Sequence, residues 1–128
     1  MTAPVTRDTK QKRAIRAAFL AADRPLSPEQ VRDMAGAEKA GLGIATVYRN
    51  IKQLLEEGWL TTVQLPGENA HYEVAGKAHH HHFHCKSCKK VFELMACLPN
   101  VQTLAPAGFR VSGHELLLYG TCDACAHA

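Results

Sequence analysis

The sequence predicts an α+β protein of two small domains, the first built from three helices and a hairpin and the second a small α/β unit. Three observations carry this prediction. Apolar residues recur at helical spacing in the first half, β-prone runs flank a Pro-Gly turn near the middle, and paired cysteines adjoin a histidine run in the second half. A chain of 128 residues divided in two buries little core per domain. Each half therefore needs a metal, a disulfide or a partner chain for stability.

Two helices are predicted before residue 36. Residues 7–22 form the first, because Ile15 and Phe19 fall on one helical face. Residues 27–30 read Ser-Pro-Glu-Gln and begin the second. Serine is a favoured helix cap, proline suits the first helical position, and glutamine stands where a capping box requires it. We expect this helix to run to about Ala35.

A third helix over residues 44–57 and a hairpin complete the first half. Gly58 is placed to follow the C-terminal cap of the helix. The strands of the hairpin are predicted over 59–65 and 71–74, joined by a Pro-Gly-Glu-Asn turn. The polar residues expected to lie off the buried stripe of the third helix are Thr46, Arg49, Asn50 and Gln53. Three helices followed by a hairpin are the winged-helix pattern.

The domain boundaries follow from this pattern. We assign residues 1–75 to a winged-helix domain, residues 75–78 to a hinge, and residues 79–128 to a metal-binding α/β domain. The strands expected in the second domain are 80–85, 91–95, 109–111 and 114–119, with a short helix at 101–105.

Charge and cysteine usage narrow the function classes. The net charge is only +3, but basic residues crowd residues 7–16, whereas Arg110 is the only Lys or Arg after Glu93. The first half is therefore where phosphate contacts are expected. The five cysteines come without a signal peptide or a membrane-length apolar run, which favours a reducing cytoplasm.

Four cysteines form two CxxC pairs, which are typical of a structural zinc site. Zn²⁺ prefers four thiolates at tetrahedral angles, and two intervening residues let each pair chelate one ion. A redox dithiol, disulfides or one chance pair are the alternatives. The long segment between the pairs is expected to fold back as its own hairpin. The four predicted ligands are Cys85, Cys88, Cys122 and Cys125.

The histidine run offers a second kind of metal ligand. On a strand, His80 and His82 face one side, and His79 and His81 face the other. One strand can therefore serve two imidazole sites, suited to Zn²⁺, Fe²⁺, Mn²⁺ or Co²⁺. Further candidate ligands are Glu73, Glu93, His114 and Cys97. The alternatives are a solvated polar strand and, for Cys97, a small buried core residue.

The start of the third helix is the candidate DNA-reading segment. Its hydroxyl, phenol, guanidinium and amide groups can meet phosphates and base edges in a major groove. An ordinary solvated helix face is the alternative, and the basic first helix favours DNA. The candidate contacts are Thr46, Tyr48, Arg49, Asn50 and Lys10.

Several of these motifs, in this order, resemble the ferric uptake regulator family of metal-dependent repressors. The matching segments are 8–15, 26–29, 45–49, 71–73, 79–88, 108–109, 114–120 and the second CxxC. The resemblance implies a homodimer whose winged helices read palindromic AT-rich operators and whose second domain dimerises. It also implies that Tyr48 and Arg49 contact the operator.

The resemblance assigns the metal ligands by position. The four paired cysteines fall on the family's structural zinc site. Glu73, His80, His82 and Glu93 fall on its regulatory site, which would take Zn²⁺, Fe²⁺ or Mn²⁺. An additional site falls on His79, His81 and His114.

The sequence departs from the family pattern at two places. Residues 23–26 lack the histidine that commonly joins the regulatory site, which disfavours a peroxide sensor. The site is then four-coordinate without it, or borrows His71. A glutamate expected near Asn100 is also missing, and Cys97 can replace it. A thiolate there would favour Zn²⁺ over Fe²⁺.

These features predict a cytoplasmic, metal-responsive DNA-binding repressor with zinc or iron as effector. A metal-storage or metal-delivery protein using the histidine run is the alternative. An enzyme is not expected, because His114-Glu115 lacks the second histidine of HExxH and no HxE precedes a PCxxC.

Overall fold

The computed structural model describes residues 7–38 and 42–128. The chain divides into two compact units, Met1–Gly76 and Lys77–Ala128. The first unit contains α1 (Arg7–Ala22), α2 (Pro28–Glu38), α3 (Ile44–Glu56), β1 (Leu60–Val63) and β2 (His71–Val74). The second contains β3 (His81–Cys85), β4 (Val91–Leu94), a 3-10 turn (Val101–Leu104), β5 (Leu117–Gly120) and α4 (Asp123–Ala126). None of the helices in the described residues has the length and apolarity to span a bilayer.

The three helices of the first unit begin close to where the sequence predicts. The capping box that starts α2 is confirmed: the Ser27 N–H donates to Gln30 Oε1 over 3.0 Å, and the Gln30 N–H donates to Ser27 Oγ over 3.2 Å. The helix continues three residues beyond the expected Ala35, to Glu38. The reciprocal cap fixes the direction of α2, whose Val31 is fully buried.

Helix α3 ends as predicted, at a glycine with positive φ. Gly58 has φ +79°, its N–H donates to Leu55 O, and the Trp59 N–H donates to Leu54 O. These bonds satisfy the last carbonyls of the helix and turn the chain into β1. A side chain at Gly58 would be strained in this conformation.

The position of one polar side chain on α3 differs from the sequence prediction. Asn50 does not lie off the buried stripe: it is 4% exposed and its side-chain amide donates to Thr46 O over 2.9 Å. The bond to the preceding turn satisfies the amide, so the polar group can be buried beside Val47 and Ile51. Hydrophobic spacing alone could not show this internal bond.

The wing is an antiparallel β1–β2 hairpin in which Thr61 pairs with Glu73 and Val63 with His71. It is tied to the helices by a bridge between Leu26 and Tyr72, whose N–H groups donate reciprocally over 2.8 Å. This bridge positions the hairpin against the loop before α2. Three helices with a hairpin wing confirm the predicted winged-helix fold.

The core of the first unit gives a stability prediction. Phe19 is 1% exposed and packs edge-on to Trp59, with ring centroids 6.3 Å apart. We expect Phe19→Ala to lower the free energy of unfolding of this unit by about 3–5 kcal/mol, because it removes a buried ring and leaves a cavity. Urea denaturation followed by the fluorescence of Trp59, the only tryptophan, measures this loss.

The adjacent residue provides the matched control. Leu20 lies on the same helix but is 62% exposed. Its replacement by alanine should change the stability by less than about 0.5 kcal/mol. Equal losses for both variants would contradict the assignment of Phe19 to the core.

The second unit contains a mixed three-stranded sheet in the order β4-β3-β5. Strand β4 pairs antiparallel with β3, and β5 pairs parallel with β3, opposing Cys85 with Gly120. The expected independent hairpin between the cysteine pairs is therefore wrong, because both later strands use β3 as their partner. The histidine strand is the centre of the sheet.

Two expected strands in this unit are also corrected. Residues 109–111 form no strand, because the Gln102 side chain accepts from the Val111 N–H over 2.9 Å and donates to Phe109 O over 2.7 Å. A side-chain amide thus satisfies the backbone that a neighbouring strand would have paired. The strand expected over 114–119 is limited to β5, and the expected short helix is a 3-10 turn.

Candidate metal centres and nucleic-acid interface

The two CxxC pairs converge in the second unit. The four Sγ atoms lie within 4.8 Å of one another, and those of Cys88 and Cys122 are 3.8 Å apart. For a zinc–sulfur distance of about 2.3 Å, the edge of a regular tetrahedron is about 3.8 Å. Cys85 and Cys88 bracket the turn after β3, and Cys122 and Cys125 bracket the start of α4. The cluster thus fits a closed, four-thiolate zinc site.

Backbone N–H groups lower the pKa of one of these thiols. The N–H groups of Cys88 and Cys122 point at Cys85 Sγ over 3.4 and 3.3 Å and are the main cause that lowers the pKa of the Cys85 thiol to about 6. Hydrogen bonding with Cys122, followed by burial, raises the pKa of the Cys125 thiol to about 12. The Cys85 thiol therefore loses its proton more readily than a free cysteine, and metal ligation requires deprotonated sulfur.

A second cluster joins three imidazoles and the fifth cysteine. It comprises His79, His81, Cys97 and His114, whose ligand atoms lie within 4.8 Å of one another. His81 is 2% exposed, whereas Cys97 is exposed. The interpretation of Cys97 as a buried core residue is therefore wrong. Cys97 follows β4 and lies beside His81 on β3, His79 just before that strand and His114 before β5.

The buried imidazole of this cluster favours its neutral form. Burial, and after it the neighbouring His79 and His114, lower the pKa of His81. A neutral imidazole has a basic nitrogen, which is the form that ligates metals. His81 therefore needs no proton loss to bind a cation at neutral pH.

His80 and His82 lie together on the opposite side of the strand. Their ring centroids are 4.8 Å apart, and His80 Nδ1–H donates to Ala78 O over 2.7 Å. That bond fixes the tautomer and leaves Nε2 as the basic nitrogen, as in many metal-ligating histidines. The alternation that the sequence predicts, with His79 and His81 separated from His80 and His82, is thus present.

The two carboxylates assigned to the regulatory site lie in different units. Glu73 lies on β2 of the first unit and is 6% exposed, on the same strand face as the buried His71. Glu93 lies on β4 opposite His82, and its carboxylate forms an ion pair with Lys77. No sequence pattern indicated this lysine partner. Glu93 is not part of the histidine clusters found among the described residues.

The exposed residues at the start of α3 form the candidate nucleic-acid interface. Tyr48 is 46% exposed, and burial, followed by the Glu29 carboxylate, raises the pKa of its phenol. The phenol therefore keeps its proton and can donate to a phosphate oxygen. Arg49 is exposed and Thr46 partly exposed on α3, and Lys10 is exposed on α1.

A cleft between α1 and α3 adds residues that sequence analysis missed. It is lined by Thr9, Lys12, Arg49, Asn50 and Gln53. Thr9 and Lys12 are one helical turn apart, so their spacing in the basic run was the available signal. The Lys12 ammonium binds the Glu57 carboxylate, which also lies 3.7 Å from Arg16. The cleft is basic, but Glu57 neutralises part of its charge.

A winged helix with clustered cysteine and histidine ligands defines a class: metal-dependent DNA-binding regulators. The model of the Ferric uptake regulator family matches residues 5–119, and the chain belongs to this family. It is 34% identical over 122 residues to the ferric uptake regulation protein of Campylobacter jejuni, covering 91% of this chain and 78% of that protein. The chain is accordingly a metal-responsive transcription regulator.

Solved structures support the same fold. A zinc-bound manganese uptake regulator matches with a TM-score of 0.77 at 25% identity, covering 91% of both chains. The ferric uptake regulator of Francisella tularensis, solved with iron, matches with a TM-score of 0.69 at 26% identity, covering 98% of this chain and 96% of that one. These two relatives hold different metals, so the family alone leaves the effector of this chain open.

Proposed function

We propose that the protein is a cytoplasmic repressor that binds palindromic AT-rich operators as a metal-loaded homodimer. The observation that carries the proposal is the combination of an exposed basic α1–α3 surface with ligand clusters on a separate unit. A storage or delivery protein would use the histidines but would have no need for a winged helix. The palindrome would match the two-fold symmetry of the dimer.

In this proposal Glu73 of the wing, with His80 just before β3 and His82 on β3, holds the regulatory ion. When bound, a divalent ion supplies a cross-link between the DNA-reading unit and the dimerising unit. The buried Glu73 contributes a negative oxygen donor, and His80 contributes an oriented nitrogen. Glu93 would become a further ligand if its carboxylate released the Lys77 ammonium and bound the ion instead.

The cross-link acts by shifting a population of conformers. Residues 75–78 serve as the hinge, and the ion must bind the DNA-competent arrangement more tightly than the others. Allosteric couplings are about 1–3 kcal/mol, which corresponds to roughly 5–150-fold in operator affinity. Imidazole and carboxylate donors make Zn²⁺, Fe²⁺ and Mn²⁺ the candidate effectors.

A fluorescence-anisotropy titration tests this function. Full-length protein is titrated into a labelled AT-rich palindromic duplex with and without each candidate ion, at fixed salt because phosphate contacts make binding salt-dependent. A regulator shows tighter binding with metal and no comparable gain on a scrambled duplex. Metal uptake without any change in DNA affinity would instead support storage or delivery.

Arg49→Ala should weaken operator binding by about 1–3 kcal/mol, because it removes a guanidinium from the reading face of α3. Metal content, measured by plasma mass spectrometry, should stay the same. Arg32→Ala is the matched control: Arg32 lies on α2 and pairs with the adjacent Asp33. Equal affinity of the Arg49 variant and the unmodified protein would exclude Arg49 as a major contact.

A further inference from the structure

The cluster of His79, His81, Cys97 and His114 has a geometry that selects among metals. The three Nε2 atoms form a triangle: His79 to His81 is 3.1 Å, His81 to His114 is 3.1 Å, and His79 to His114 is 3.3 Å. Cys97 Sγ lies 3.0, 3.3 and 3.7 Å from the Nε2 atoms of His114, His81 and His79. All four donors are therefore mutually adjacent.

Hydrogen bonds among the imidazoles do not account for this triangle. Each neutral Nε2 carries either a proton or one lone pair, so it is a donor or an acceptor but not both. With two roles and three atoms, at least two nitrogens share a role, and their contact is repulsive. A cation at the centre makes all the contacts favourable, because every lone pair then points at positive charge.

The distances match a tetrahedral ion. With metal–nitrogen distances of about 2.0–2.1 Å and a metal–sulfur distance of about 2.3 Å, tetrahedral edges are about 3.3 Å between nitrogens and about 3.6 Å between nitrogen and sulfur. The observed separations run from 3.0 to 3.7 Å. The four donors thus surround one point without any rearrangement of the strand.

Octahedral and square-planar coordination do not fit the same four atoms. Any four corners of an octahedron include at least one pair on opposite sides of the ion, about 4.2 Å apart at a metal–ligand distance of about 2.1 Å. A square has two such pairs. No pair in this cluster is separated by more than 3.7 Å.

We infer that this cluster is a closed tetrahedral site that selects Zn²⁺ over Fe²⁺ and Mn²⁺, and that the Cys97 thiolate is the selecting ligand. Three nitrogens and one sulfur suit a borderline-soft ion without geometric preference of its own. Mn²⁺ instead favours carboxylate and water oxygens, and Fe²⁺ is typically held by two imidazoles and a carboxylate with positions left open. The inference deepens the proposed function, on which it rests for the role of metal in regulation. The metal preference itself does not depend on DNA.

The test uses Co²⁺ as a spectroscopic probe for the tetrahedral site. Full-length protein, treated with EDTA to clear the exposed site, is titrated with Co²⁺, and the spectrum of Cys97→Ser is subtracted from that of the unmodified chain. We expect intense visible d–d bands and a sulfur-to-cobalt charge-transfer band in the difference. Zn²⁺ should bleach these bands at equimolar concentration, while Mn²⁺ and, under anaerobic conditions, Fe²⁺ should not.

Three variants test whether Cys97 and His114 are ligands of this site. Cys97→Asp should narrow the ratio of Zn²⁺ affinity to Mn²⁺ affinity by at least about 10-fold, since even loss of an outer-shell partner costs about 10–100-fold in metal affinity. His114→Ala should also lose the difference bands, whereas His127→Ala, outside the ligand clusters among the described residues, should keep them. A featureless difference spectrum, weak octahedral bands, or an unchanged preference in Cys97→Asp would overturn the inference.

The outcome is independent of the operator assay. Zinc-selective bands without metal-coupled DNA binding would leave the site standing and remove the proposed function. Metal-coupled DNA binding without those bands would support the proposed function and overturn the zinc-selective site.

Discussion

Cys85→Ser should abolish the fold of the second unit. Cys85 is fully buried at the end of the central strand and accepts two backbone hydrogen bonds that organise the other ligands. Binding of structural zinc contributes about 10–16 kcal/mol in small zinc domains, which exceeds or equals the whole stability of most domains, about 5–15 kcal/mol. Losing one thiolate therefore removes most of what holds this small sheet together.

Far-ultraviolet circular dichroism and zinc content measure this loss. We expect the strand signal of the second unit and the tightly held zinc to be lost together, while the helical signal and the β1–β2 hairpin of the first unit remain. Cys97→Ser is the matched cysteine control: Cys97 is exposed and lies outside the four-thiolate cluster, so this variant should keep the strand signal and the zinc that resists EDTA, and lose only the ion of the His79, His81, Cys97 and His114 cluster. A folded Cys85→Ser protein that still sediments as a dimer would remove the structural role of the four-cysteine site.

The double variant His80→Ala with His82→Ala should lose metal-dependent operator binding while the protein remains folded. Both imidazoles are partly exposed, His80 just before β3 and His82 on it, so their removal opens no core cavity. The operator affinity with metal should fall to the value without metal, a loss of roughly 5–150-fold. Anisotropy titrations with and without metal measure the difference.

His127→Ala is the histidine control for this experiment. His127 is exposed, pairs with Asp123 at the C-terminus, and belongs to none of the ligand clusters among the described residues. It should respond to metal like the unmodified protein. If the double variant keeps a full metal response, the regulatory ligands have been assigned to the wrong strand face.

Sequence patterns were most informative where local rules decide the structure. The capping box at Ser27 and Gln30, the glycine at the end of α3, and the 7–22 helix all depend on short-range spacing, and all are confirmed. The grouping of the cysteines and the separation of alternate histidines followed from ligand chemistry and the two-residue period of a strand.

Sequence patterns failed where one side chain replaced a longer-range partner. Gln102 took the place of a strand next to residues 109–111, and Asn50 became buried through its bond to Thr46. The parallel pairing of β5 with β3 depends on contacts between distant parts of the chain. Such contacts have no periodic signature in one sequence.

The parallel pairing of β5 with β3 sets the order in which the four-cysteine site can assemble on a growing polypeptide. Cys85 and Cys88 come together as soon as the β3–β4 turn forms, but Cys122 lies 34 residues beyond Cys88 and arrives only when β5 docks. Closing a loop of that length costs about 3 kcal/mol of chain entropy before any contact compensates it. A ribosome-bound chain therefore offers zinc a two-thiolate half-site first, and the later emergence of Cys122 and Cys125 with β5 completes both the sheet and the coordination shell.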